Sequence, residues 1–138
     1  MRYISKKIRQ IVLDRANHFC EYCYSSERMI IVLEIDHILP ISRGGKTELD
    51  NLCAVCRSCN SFKRQFIDGI DPDTGQKAPL FNPRQDDWHT HFKWNKTGDE
   101  MIGLTPIGQA TISRLKLNRL ALVESRQLWI SVNLHPPK

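Results

Sequence analysis

Two Cys-x-x-Cys pairs, Cys20-Glu21-Tyr22-Cys23 and Cys56-Arg57-Ser58-Cys59, constrain the fold of this chain more than any other feature. Each pair offers two thiolates at the span a tetrahedral ion needs, so the four cysteines read as a zinc site. Four thiolates leave no open coordination position, and such a site is structural. The pairs are separated by 32 residues, Tyr24 to Val55, which is longer than the connection in a simple zinc ribbon. The insert must therefore hold structure of its own, pinched shut at its base. Two disulfides, or a pair of redox motifs, are the alternatives. The N-terminus, Met1 to Lys7, is basic but has no apolar signal core, which argues against an oxidising compartment and sets the cytoplasm as the expected location. Duplicated redox motifs without a βαβ pattern would be unusual. The fifth cysteine, Cys53, lies in the apolar run Leu52–Val55 and reads as a small buried hydrophobe, not a ligand.

Inside the insert, the apolar run Met29 to Leu33 predicts a buried strand that leads into Glu34-Ile35-Asp36-His37. Asp36 is a hard oxygen ligand suited to Mg²⁺ or Mn²⁺. His37 can act as a general base near neutral pH. Alone, an Asp-His pair at a strand end is usually just polar residues leaving the core. Ile38, Leu39 and Pro40 are expected to pack under the loop that follows. In that loop Arg43 and Lys46 flank Gly44 and Gly45; its backbone amides can meet a phosphate, or it is a plain turn. Asn51 precedes a second short strand, Leu52–Val55, so the insert reads as a hairpin with a long connection. From Cys56 to about Ile67 the chain reads as a helix on which Asn60, Lys63 and Arg64 share a face.

Taken in order, Cys20-x-x-Cys23, Asp36-His37, Asn51 and Cys56-x-x-Cys59-Asn60-x-x-Lys63 resembles the HNH endonuclease family in its zinc-stapled form. The resemblance covers residues 11–66, and its third position is Asn60 where many members carry His. It implies an α+β fold: a small ββα-metal (HNH, His-Me finger) nuclease module with structural zinc, flanked by an N-terminal helix and a helical C-terminal extension. It further implies a metal-dependent DNA endonuclease or nickase. His37 would be the general base, and Asp36 and Asn60 would hold one Mg²⁺ or Mn²⁺. Asn51 would hold the loop or the ring of His37. Arg43, Lys46, Arg57, Lys63 and Arg64 would contact DNA phosphates, and Cys20, Cys23, Cys56 and Cys59 would hold zinc. A zinc-dependent DNA-binding module without catalysis is the main alternative, and a zinc-stapled protein-interaction domain is another. Both leave the set Asp36, His37, Asn51, Asn60 without a purpose, because neither binding nor folding requires that histidine.

The charge fits a polyanionic partner without demanding one. The chain carries a net charge of +5. Residues 1–66 hold 11 Lys/Arg against 7 Asp/Glu, and residues 67–138 hold 9 against 8, so the excess sits with the motif. No apolar run approaches a membrane span. Residues 1–66 are expected to form the nuclease module with its N-terminal helix. Residues 67–138 are expected to be a loop-rich and then helical extension packed on it. In detail, residues 4–17 predict an amphipathic helix with Ser5 as cap and Ile4, Ile8, Ile11, Val12 and Ala16 facing inward. Residues 68–87 read as loops, and Trp88 to Trp94 as a strand. Thr105 and Pro106 start a helix, and Leu120 to about Val132 form a last one containing Leu122, Leu128, Trp129 and Val132. Target sequence, DNA against RNA, nicking against double-strand cutting, and monomer against homodimer stay open at this stage.

Overall fold

The computed structural model describes residues 3–137; Met1 and Arg2 of the basic N-terminus, and Lys138, lie outside the described residues. The chain divides into two compact units. One reaches up to Ile67 and adds Asn82–Gln85; the other comprises Asp68–Phe81 and the chain from Asp86 onward.

In the first unit, helix α1 (Lys6–Arg15) starts where the Ser5 hydroxyl accepts a hydrogen bond from the Ile8 amide at 3.2 Å, satisfying one of the otherwise orphaned donors of a first turn. Burial centres on Val12 and Leu13, while Ile11 is 39% exposed. The helix is thus rolled toward Leu13 relative to the expected stripe.

The apolar run Met29–Leu33 does not form the expected strand. The Ser26 hydroxyl accepts from the Arg28 amide and caps a short 3₁₀ turn, Glu27–Met29. Ile30 closes that turn in the left-handed region at φ 60° and is 94% exposed. A local cap has won over hydrophobic patterning here. Strand β1 begins only at Leu33 and runs to His37. Asp36 and His37 are therefore its last two residues.

Strand β1 pairs antiparallel with β2 (Leu52–Cys56), which places Asp36 opposite Cys53 and His37 opposite Leu52. Every residue of β2 is buried, because α1 packs on it and helix α2 (Arg57–Lys63) packs on both strands. The long connection between the strands is ordered around Gly45. A Cβ there would lie 1.7 Å from the Leu39 carbonyl oxygen, so the position excludes any side chain.

The second unit departs more from expectation. Residues 68–87 contain a hairpin, β3 (Asp68–Ile70) with β4 (Lys77–Pro79). Its turn is set by Asp71, whose side chain accepts from the Asp73 amide at 2.9 Å, and by Gly75 at φ 72°. Three-residue strands are too short to show a period of two. The Trp88–Trp94 run splits into a short helix α3 (Trp88–His91) and strand β5 (Phe92–Trp94), which pairs with β6 (Met101–Gly103). Trp88 is buried, and His91 Nδ1 lies 2.6 Å from the Thr105 hydroxyl.

Helix α4 (Pro106–Leu115) begins as read from the sequence, with Thr105 Oγ1 accepting from the Gly108 amide at 3.1 Å. It packs on β3, β4 and β6 of its own unit. Helix α5 (Leu120–Ser131) buries Leu122 and Arg126, whereas Leu128 is 67% and Val132 57% exposed, against the apolar stripe expected of it. Among the described residues no helix is long and apolar enough to cross a membrane.

Candidate functional site

The four cysteines of the two pairs converge. Cys20, Cys23, Cys56 and Cys59 are buried, and their sulfurs all lie within 4.8 Å of one another. A tetrahedral ion with bonds of about 2.3 Å requires sulfur separations of about 3.8 Å; Cys23 Sγ and Cys56 Sγ are 3.8 Å apart. The backbone also favours thiolates. The Cys23 amide points at Cys20 Sγ at 3.5 Å and the Cys59 amide at Cys56 Sγ at 3.4 Å, the latter as the N-cap of α2. Hydrogen bonds from the neighbouring thiols, Cys20 first, hold the Cys23 thiol well below its ordinary range, while burial pushes Cys20 up. The four residues are positioned to bind a metal ion. Cys53 stands outside this set with its sulfur 3.9 Å from the Tyr22 hydroxyl, and burial raises it to about 12.

The clamp sits at the open end of the hairpin, because Cys56 is the last residue of β2 and faces Leu33, the first of β1. Along β1 side chains alternate. Leu33 and Ile35 take one face and Glu34 and Asp36 the other, while His37, the last residue of the strand, stands where the chain enters the loop. The His37 ring reaches the connecting loop, with Nε2 2.9 Å from Thr47 Oγ1. Of the two roles expected of Asn51, its amide serves the loop. Its Oδ1 accepts from the Leu39 amide at 2.8 Å, and its Nδ2 donates to the Leu39 and Lys46 carbonyls at 3.0 and 2.8 Å.

The other face of β1 meets α2 in two rungs. Asn60 Nδ2 donates to Glu34 Oε1 at 2.9 Å, and Lys63 Nζ lies 2.7 Å from Asp36 Oδ2. Residues two apart on a strand thus face residues three apart on a helix. Asp36 Oδ1 and Asn60 Oδ1 have no protein partner among the described residues. A carboxylate oxygen and an amide oxygen are each hard donors of the kind Mg²⁺ accepts alongside its waters.

Lys63 differs from the role expected of it. Its side chain is 2% exposed and its ammonium is committed to Asp36, so it is an internal counter-ion and not a surface cation. Removing one partner of a buried pair leaves an uncompensated charge, and Lys63→Ala is expected to cost ~3–5 kcal/mol. A urea midpoint unchanged from wild type would show that the pair carries no such weight.

The remaining cations are exposed. Arg57 is 71% exposed and contacts Glu34 Oε2 at 3.1 Å. Arg43 donates through Nε to the Gln65 carbonyl at 3.0 Å, and the Ser42 hydroxyl meets the Gln65 side chain. Arg43, Arg64, Gln65 and Phe66 line a cavity of about 360 Å³. Lys46 is exposed on the loop that Asn51 clamps. Sequence reasoning missed Glu34, Thr47 and Arg9. Glu34 was findable, since a strand's period of two puts it on the face of Asp36. Thr47 and Arg9 carried no such signal: Thr47 meets His37 across the loop, and Arg9 reaches from α1 to the Leu33 carbonyl at 3.0 Å.

No curated protein and no solved structure matches this chain. The comparison that does succeed spans both cysteine pairs and everything between them, in agreement with the resemblance read from the motif. Residues 20–66 match the family model of the HNH endonuclease.

Proposed function

We propose that this chain is a metal-dependent endonuclease that hydrolyses phosphodiester bonds in DNA through a ββα-metal module built from β1, β2 and α2. The observation that carries the reading is the ordered set Asp36, His37, Asn51 and Asn60 within the matched segment, which also holds the four-cysteine cluster. In this reading zinc at the four cysteines is structural. His37 takes the proton from the attacking water, with Thr47 holding its ring and Asn51 holding the loop that carries Thr47. Asp36 and Asn60 hold Mg²⁺ or Mn²⁺ through the two oxygens without a protein partner. Such an ion supplies charge neutralisation at the phosphate and the leaving oxygen. Arg43, Lys46, Arg57 and Arg64 contact backbone phosphates, which gives salt-dependent affinity with little sequence information.

One observation favours the second reading, a zinc-dependent DNA-binding module without catalysis: Lys63 already neutralises Asp36. Conversion of supercoiled plasmid separates the two. The nuclease reading expects nicked or linear product with Mg²⁺ or Mn²⁺ and none with EDTA. Folded, zinc-loaded protein that retards the plasmid without cutting it in any metal would support the binding module instead.

A further inference from the structure

Glu34 was not assigned a role by the motif, yet it is the only protein partner of the Asn60 amide side chain among the described residues. Its carboxylate accepts from Asn60 Nδ2 at 2.9 Å and from Arg57 Nε at 3.1 Å. An ionised carboxylate has no proton to donate. The edge of the Asn60 amide that faces Glu34 must therefore be the NH₂ edge, whichever way the group is drawn. That forces Oδ1 to the other side. A cavity of about 530 Å³ opens on the Glu34 side of this rung, lined by Arg9, Glu34, Arg57 and Asn60 but not by Asp36, so the two rungs, and not this cavity, set the Asn60 amide against Asp36. The second rung does the same for Asp36: Lys63 takes Oδ2 from within and leaves Oδ1.

We propose that Glu34 is a positioning residue, which fixes the Asn60 amide with its oxygen turned outward as a ready acceptor for a hard divalent cation beside Asp36. The proposal rests on the reading of Asp36 and Asn60 as ligands. Without Glu34 the amide rotates between two orientations, and one of them presents NH₂ to the cation. Glu34→Gln keeps an acceptor oxygen that can hold Asn60 Nδ2. Glu34→Ala keeps none.

Two measurements test it, neither of which reads cleavage. The first is the Asn60 side-chain amide signal in ¹⁵N NMR spectra of the zinc-loaded protein without other metals. One NH₂ proton is expected to be protected from solvent exchange in wild type and in Glu34→Gln, and to exchange at least tenfold faster in Glu34→Ala. The second is Mn²⁺ affinity by electron paramagnetic resonance. Outer partners of metal ligands are worth about 10–100-fold in metal affinity, so Glu34→Ala is expected to bind at least tenfold more weakly, with most of the loss restored in Glu34→Gln. An amide signal indifferent to Glu34→Ala would overturn the proposal. So would equal Mn²⁺ weakening in both variants, since Glu34 would then act through its charge and not through Asn60. A pinned amide in a wild-type protein that binds no Mn²⁺ would uphold the positioning role and overturn the ligand reading of the proposed function.

Discussion

His37→Ala is expected to lower the single-turnover rate of DNA cleavage by about 10²–10⁴-fold, the usual worth of a positioned general base, while DNA affinity and the melting temperature stay near wild type. The separation follows from where the side chain sits. His37 closes β1, and its ring meets the loop through Thr47 Oγ1 at 2.9 Å. It belongs neither to the cysteine cluster nor to the buried Asp36–Lys63 pair. Its backbone role in the hairpin, opposite Leu52, is kept by alanine. Thr47→Val extends the test. It removes the hydroxyl and preserves the shape, so cleavage should fall by less than in His37→Ala, because the base remains and only its orientation loosens. A His37→Ala protein that cuts at the wild-type rate would remove the histidine from the chemistry.

Removing zinc from the proposed four-cysteine site is expected to unfold the first unit. Its core is small and lies largely between α1, β2 and α2, with Val12, Leu33, Leu52, Val55 and the four sulfurs buried together. Structural zinc contributes an apparent ~10–16 kcal/mol at neutral pH in small domains that fold around it, which is comparable to or larger than the whole stability of a typical domain. Cys59→Ser should therefore lose the cooperative thermal transition of this unit and lose retained zinc together, as should prolonged treatment of wild type with a strong chelator. Circular dichroism and metal analysis on the same sample read both. The expected sign is unusual for a buried cysteine: Cys53→Ser, at a site outside the cluster, should keep its zinc. A chelated protein that keeps its full signal and melting transition would show that the hydrophobic packing suffices.

The parts of this fold that could be read from the chain are those fixed by chemistry at short range. Ser5 and Thr105 were visible as helix caps because a capping hydroxyl acts on an amide three residues away. The cysteine clamp was visible because its spacing is set by the ion. Asn51 was visible as a loop anchor, although which of two partners it would serve was decided by Leu39 and Lys46 folding back to it. The failures share a cause as well. Met29–Leu33 looked like a strand by hydropathy, but one serine cap and one left-handed isoleucine moved the start to Leu33. Lys63 looked like a surface cation on its helix, and only Asp36, from a strand 27 positions earlier in the chain, drew it inside. The hairpin of β3 and β4 rests on a buried aspartate turn that reads as an ordinary loop. In each case a single long-range or cap-level interaction outweighed a local preference that is worth only a few tenths of a kcal/mol to about 1 kcal/mol per residue.

In the proposed function one surface both binds DNA and, given a hard divalent ion, cuts it. The most direct measurement starts from the zinc-loaded protein bound to labelled duplex DNA, freed of other divalent ions by dialysis, with Mg²⁺ then added while products are followed in time. A stable uncut complex is expected before the addition, and cleavage of the bound DNA after it. A complex that persists uncut through Mg²⁺ and then Mn²⁺, with the protein still folded and zinc-loaded, would contradict the nuclease assignment and leave a zinc-stapled DNA-binding module in its place.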